Sequence, residues 1–183
     1  MADQSRTHEY LGVAGVAGFA RAAGAVCMGS SYQPDTMASI QTVAGTGACH
    51  LAATFLSRFY SFPTSNKTIY VATPSWGNYR ALFVMAGLTM TAFQHLSEEG
   101  EFGIANYIDA LQQAPPGSVF LLQSCGHNPT GMDPSASEWK VLSEVFRSRG
   151  HYVFFDGAYL GMASSSLEQD RRCVRSRYIL ACS

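Results

Sequence analysis

Four short apolar runs recur at intervals along the second two-thirds of the chain, and each gives way to a helical pattern. They are residues 67–73 (KTIYVAT), 89–93 (TMTAF), 118–123 (SVFLLQ) and 151–155 (HYVFF). The β-branched and aromatic residues favour strands, and the near-absence of polar alternation marks strands buried on both faces. Helix patterns fill residues 77–87, 103–114 and 135–149, the last opened by Ser137 with Glu138 and Trp139 in its first turn. Strands alternating with helices predict an α/β fold, a largely parallel sheet sandwiched by helices. Such sheets bind ligands in the crevice beyond the carboxyl ends of their strands. The unusual residues fall at those ends: Asp156 after one run, Gln123 to Asn128 after another, and Pro74, Ser75 and Trp76 after a third.

Bulk properties narrow the partners. A formal net charge of -1 on 183 residues, with no long basic run before the C-terminus, gives no footprint for nucleic acid or an anionic membrane. Small molecules are the natural ligands. The five cysteines, Cys27, Cys49, Cys125, Cys173 and Cys182, are odd in number, widely spaced and free of any C-x-x-C pair. That pattern speaks against a disulfide framework and a zinc ribbon and for a reducing, cytoplasmic compartment. No metal site is expected. The apolar stretch 11–28 is rich in Gly and Ala and broken by Arg21, so neither an export signal nor a membrane span is expected.

Four segments carry candidate chemistry. Gly45, Thr46 and Gly47 lead into the helical pattern 49–60. Glycine lets backbone N–H groups approach an anion, a helix start adds positive potential, and the Thr46 hydroxyl adds a donor, so phosphate fits; a plain tight entry turn fits too. Asp156 at a strand tip either caps a turn or faces a cation such as a ring nitrogen or a metal, and Tyr159 lies within reach of the same ligand or in the core. In residues 125–131 (CGHNPTG) the constrained turn holds the Asn128 amide at a strand end, or is an ordinary loop. His127 has no second ligand at metal spacing and reads as structural. Trp76 offers a flat face to a planar ligand or is a large core residue.

In order and spacing these segments resemble the aspartate aminotransferases, class I pyridoxal-phosphate enzymes of fold type I, from about His8 to Asp170. The most specific stretches are 125–134 (CGHNPTGMDP) and 154–161 (FFDGAYLG), with 45–47 (GTG), 74–78 (PSWGN) and 8–11 (HEYL) upstream. The resemblance implies that residues 1–170 form part of a large, cofactor-binding domain, truncated at both ends and followed by an unaligned arginine-rich tail, 171–183. It implies pyridoxal 5'-phosphate as cofactor. Asp156 would pair with the ring nitrogen, Asn128 and Tyr159 would bond the ring hydroxyl, Trp76 would stack on the ring, and Gly45 and Thr46 would cradle the phosphate. Tyr10 would reach the phosphate of a neighbouring subunit, implying a homodimer.

The departures from the family are specific. Ala44 stands where a serine usually precedes the Gly-Thr-Gly, and Tyr79 and Gln123 replace histidines that support the ring-binding aspartate, which is expected to weaken the tuning of Asp156. The Schiff-base lysine and the substrate arginines have no counterpart: the two lysines, Lys67 and Lys140, lie outside the motif. No catalytic residue is therefore assigned, and cofactor binding is expected to be at best noncovalent. The inherited activity would be amino transfer between an aspartate-like amino acid and a 2-oxo acid, impaired in this chain. The competing reading is a non-catalytic paralogue, or a binding module that dimerises or joins a full-length relative.

Overall fold

The structure, a computed structural model, describes residues 9–174 and 179–181; part of the stretch 8–11 and most of the arginine-rich end therefore lie outside the described residues. Five strands form one parallel sheet: β1 (Thr68–Thr73), β2 (Thr89–Gln94), β3 (Val119–Gln123), β4 (Tyr152–Asp156) and β5 (Ile179–Ala181), in the order β2-β1-β3-β4-β5. The helices that matter for the site are α1 (Ala17–Met28), α2 (Ala44–Phe59), α3 (Tyr79–Met85), α4 (Ile104–Gln113) and α5 (Ala136–Arg149).

Because successive strand residues point to opposite faces, each strand feeds two cores. On one face Ile69, Val71, Val119, Leu121 and Phe154 pack against Cys49, Ala53 and Leu56 of α2 and Leu82 and Phe83 of α3. On the other, Ala72, Phe120, Leu122, Val153 and Phe155 pack against Tyr107 and Leu111 of α4 and Leu142 and Phe146 of α5. The expected sandwich is thus present. Its exception is β2, the sheet edge, four of whose six residues are exposed.

Strand boundaries fall within a residue of the apolar runs, whereas helix starts moved. α5 begins after Ser135, not Ser137. The Ser135 hydroxyl accepts from the Glu138 N–H at 3.3 Å and the Glu138 carboxylate accepts from the Ser135 N–H at 2.7 Å, a reciprocal capping box. α2 begins at Ala44, so the Gly45–Gly47 stretch forms its first turn rather than a preceding loop. The small-residue stretch near the N-terminus contains α1, whose last carbonyls, Ala25 and Val26, accept from the Arg171 guanidinium at 3.3 and 2.8 Å. No helix among the described residues is long and apolar enough to cross a membrane. Cys49, Cys125 and Cys173 are free, but Cys27 is disulfide-bonded, which the cysteine spacing did not predict.

Candidate cofactor site

The strand order places the site. From β1 the chain steps outward to β2, then returns to lay β3 on the other side of β1, so the loops after β1 and β3 diverge and open a crevice. Trp76 stands in the first loop and Asn128 in the second, and Asp156 ends the neighbouring β4, opposite Gln123 in register. Ser75, Tyr79, Gln123 and His127 line a small cavity at this point.

Asp156 is 8 % exposed. Alternation along β4 puts it on the same face as Phe154, toward α2 and α3. There its Oδ2 accepts the Tyr79 phenol at 2.5 Å and lies 3.8 Å from the Cys49 thiol. Burial pushes the Asp156 carboxyl above its ordinary value, while the Tyr79 phenol, the Ala158 backbone N–H and the Cys49 thiol pull it back down. Burial beside this carboxylate drives both the Tyr79 and the Cys49 pKa upward. Among the described residues no ion pair to Asp156 is present. A buried carboxylate with neutral donors on one oxygen and no cation is a place where a cationic ligand gains most.

Tyr79, expected with Gln123 to weaken the tuning of Asp156, is its close hydrogen-bond donor. Gln123 serves Asn128 instead. The Gln123 Oε1 accepts the Asn128 N–H at 2.8 Å and its Nε2 donates to the Asn128 carbonyl at 3.1 Å. This brace fixes the asparagine, whose Nδ2 lies 3.4 Å from the Tyr159 hydroxyl. Asp133 anchors the rest of the loop by accepting the Gly126 and His127 N–H groups at 2.6 and 2.9 Å.

His127, expected from its sequence setting to be structural, is held by contacts within its loop and by a second ring. Its Nδ1 pairs with Thr130 Oγ1 at 2.9 Å, and its ring stacks on His95 with centroids 3.5 Å apart. His95 is held between the Tyr107 hydroxyl at 2.8 Å and the Met132 carbonyl at 2.9 Å. Burial and the neighbouring ring push His127 down to about 3, so both rings are neutral at ordinary pH. Sequence reasoning missed His95, Cys49 and Asp133. Only Asp133, in the Asp-Pro that closes the turn, carried a local signal.

Trp76 is partly buried, edge-on to Tyr79 at 5.2 Å. Gly45 and Thr46 sit in the first turn of α2, whose cap residue Val43 supplies no side-chain acceptor to the opening N–H groups. Thr46 is exposed. Tyr10 is also fully exposed and makes no hydrogen bond or ring contact with these residues among those described. The structure therefore brings Trp76, Asn128, Asp156 and Tyr159 to one end of the sheet and leaves Tyr10 outside their contacts.

Comparisons with known proteins place the chain in a family. The sequence model of the family described as aminotransferase class I and II matches residues 1–179. The cytoplasmic aspartate aminotransferase of Saccharomyces cerevisiae is 37 % identical over 177 residues, covering 94 % of this chain and 41 % of that protein. The mitochondrial aspartate aminotransferase of Dictyostelium discoideum is 38 % identical over 172 residues, covering 92 % of this chain and 39 % of that protein. Among solved structures, a mitochondrial aspartate aminotransferase from Trypanosoma brucei superposes with a TM-score of 0.87 at 32 % identity, over 93 % of this chain and 45 % of that one. A broad-specificity aminotransferase from Leishmania mexicana gives 0.88 at 33 % identity, over 93 % and 42 %. The chain spans about two-fifths of the length of the curated relatives it matches. With its motifs at the family's spacing and its sheet superposing on theirs, the chain belongs to the class I and II aminotransferases.

Proposed function

We propose that this chain is an aspartate aminotransferase-like protein whose crevice binds pyridoxal 5'-phosphate without a covalent bond. The observation that carries this reading is the buried, unpaired carboxylate of Asp156 beside the Asn128–Tyr159 pair at the switch point of the sheet. The donor set suits the cofactor. Asp156 would hold the protonated ring nitrogen, Asn128 and Tyr159 the ring hydroxyl, and Trp76 a ring face. The opening N–H groups of α2 at Gly45, with the Thr46 hydroxyl, would hold the phosphate. The cofactor, when bound, supplies an electron sink for bond-breaking at the α-carbon of an amino acid.

This chain's own residues would bind and orient. Asp156 would keep a proton on the ring nitrogen by charge, and the Gln123 brace keeps the Asn128 amide in place. Neither lysine suits covalent attachment. Lys67 precedes β1, at the end of the parallel sheet opposite Asp156, and its Nζ donates to the Ser57 carbonyl at 2.7 Å. Lys140 is exposed on α5. Transfer of an amino group between an aspartate-like amino acid and a 2-oxo acid is the activity the relatives' names suggest, and it would be impaired in this chain alone. Homodimer formation, with Tyr10 reaching a neighbouring site, belongs to the same reading. A cytoplasmic setting is supported by the free thiols of Cys49, Cys125 and Cys173 and opposed by the disulfide at Cys27.

Titration of the purified chain with pyridoxal 5'-phosphate, followed by cofactor absorbance and tryptophan quenching, tests the reading. Saturable binding is expected, weakened by at least ~10-fold in Asp156→Ala, the equivalent of one pH unit of lost charge pairing. Borohydride is expected to fix no cofactor to the protein. Equal binding by Asp156→Ala, or cofactor fixed to Lys67 or Lys140, would refute it.

A further inference from the structure

We infer that Tyr79 is the positioning residue of Asp156: it fixes the carboxylate through one oxygen and keeps the charge of the site constant through the neutral pH range. The role toward a ligand rests on the cofactor reading above; the role toward Asp156 does not.

Three observations on the geometry converge. The phenol and the carboxylate meet at 2.5 Å across 77 residues of sequence, and Tyr79 is 1 % exposed. The tyrosine ring cannot swing away, because it stacks on Phe83 at 5.6 Å and 5° and meets Trp76 edge-on at 5.2 Å. The phenol and the thiol converge on Oδ2, and the Ala158 backbone N–H adds a third donor to the carboxylate. A hydrogen bond donated to an ionised carboxylate favours the ionised form, here against the desolvation that burial imposes.

Among the described residues, no cationic side chain is hydrogen-bonded to Asp156. Around Asp156 are Cys49 from α2, Tyr79 from α3 and Gln123 across the β3–β4 register; Tyr159 lies near Tyr79, and His127, pushed down to about 3, lines the same cavity as Tyr79 and Gln123. The amide is never charged, and burial carries the Cys49 thiol and the Tyr79 phenol away from neutrality as neutral groups. A histidine in place of Tyr79 would exchange a proton between pH 5 and 8 and so vary the charge beside Asp156. The phenol donates throughout that range.

The test is a carboxyl carbon-13 NMR titration of Asp156 in the ligand-free chain, assigned with Asp156→Asn, for wild type, Tyr79→Phe and Tyr79→His. Tyr79→Phe keeps the ring that packs on Phe83, and circular dichroism checks the fold. Its Asp156 midpoint is expected to rise by about one pH unit or more, the cost of losing a charge-assisted bond. Tyr79→His is expected to add a second titration step near neutrality. An unmoved midpoint in Tyr79→Phe overturns the inference, as does a single-step curve in Tyr79→His. Pyridoxamine 5'-phosphate affinity is measured in parallel, and about a 10-fold loss in Tyr79→Phe at pH 7.5 is expected. If the midpoint moves while wild type fails to bind this probe, the cofactor reading falls and the part played by Tyr79 stands.

Discussion

At the scale of single residues, the loop after β3 is held by polar contacts that depend on protonation state. His127 is stacked on His95 and pushed down to about 3, well below the usual imidazole range. In the unfolded chain the same ring takes up a proton near pH 6.5. The native state binds fewer protons there, so this contribution to stability is fully present above about pH 6.5 and is lost as the pH falls toward 3. His95, lowered by burial too, acts in the same direction. Urea unfolding at pH 7.5 and pH 5 is expected to differ by about 1–2 kcal/mol from this source. His127→Asn should flatten most of that difference while lowering stability at pH 7.5; an unchanged slope would show that the pair does not govern it. Asp133 sets a second test. Asp133→Ala strands the Gly126 and His127 N–H groups, at a cost of about 1–3 kcal/mol in the same urea experiment.

At the scale of elements, the contrast between strands and helix ends explains what the sequence could disclose. Strand positions were legible because burial on both faces leaves continuous apolar runs, and Phe154 and Phe155 sit in opposite cores as that pattern demands. The identity of the strand tips was legible too, since Asp156 and Asn128 follow such runs directly. Their mutual arrangement was not. The Tyr79 phenol reaches Asp156 and the Gln123 amide reaches Asn128 through tertiary geometry, which no local propensity encodes. Helix starts depend on single hydrogen bonds, and two serines stand at the start of α5, one before it and one in its first turn. The reciprocal spacing of Ser135 and Glu138 decides between them, a signal that was present in the sequence. Ser135→Ala is therefore expected to cost about 1 kcal/mol of stability, and Ser137→Ala less than about 0.5, in thermal or urea unfolding. Equal effects would mean that the box contributes nothing. The start of α2 had no such marker: Ala44 takes a positive φ of 54° and Val43 caps without a side-chain bond.

At the scale of the whole molecule, the two cores leave one face uncovered. Leu51, Phe55 and Phe59 recur every fourth residue on α2 and so share a stripe, in which the Phe55 and Phe59 rings lie 5.1 Å apart. They are 42 %, 53 % and 70 % exposed, and on α3, which packs beside α2, Val84 and Met85 are 58 % and 75 % exposed. Neighbouring exposed apolar side chains on a helix pair gain free energy by leaving water, at roughly 25 cal/mol per Å² of apolar surface. The 183-residue chain on its own is therefore expected to associate with itself as its concentration rises. Light scattering coupled to size exclusion should give a mass above that of the 19.8 kDa monomer in the tens of micromolar. The double variant Phe55→Glu, Phe59→Lys places charges on the stripe without touching Cys49 or Leu56 on the buried side, and should shift the distribution toward monomer with the fold retained. A wild-type chain that stays monomeric across that range would show that the α2 stripe drives no association. Association that persists in the double variant would move the contact elsewhere, with the exposed β2 edge, whose outward Thr89 and Thr91 leave backbone groups open to pairing, as the next surface to alter.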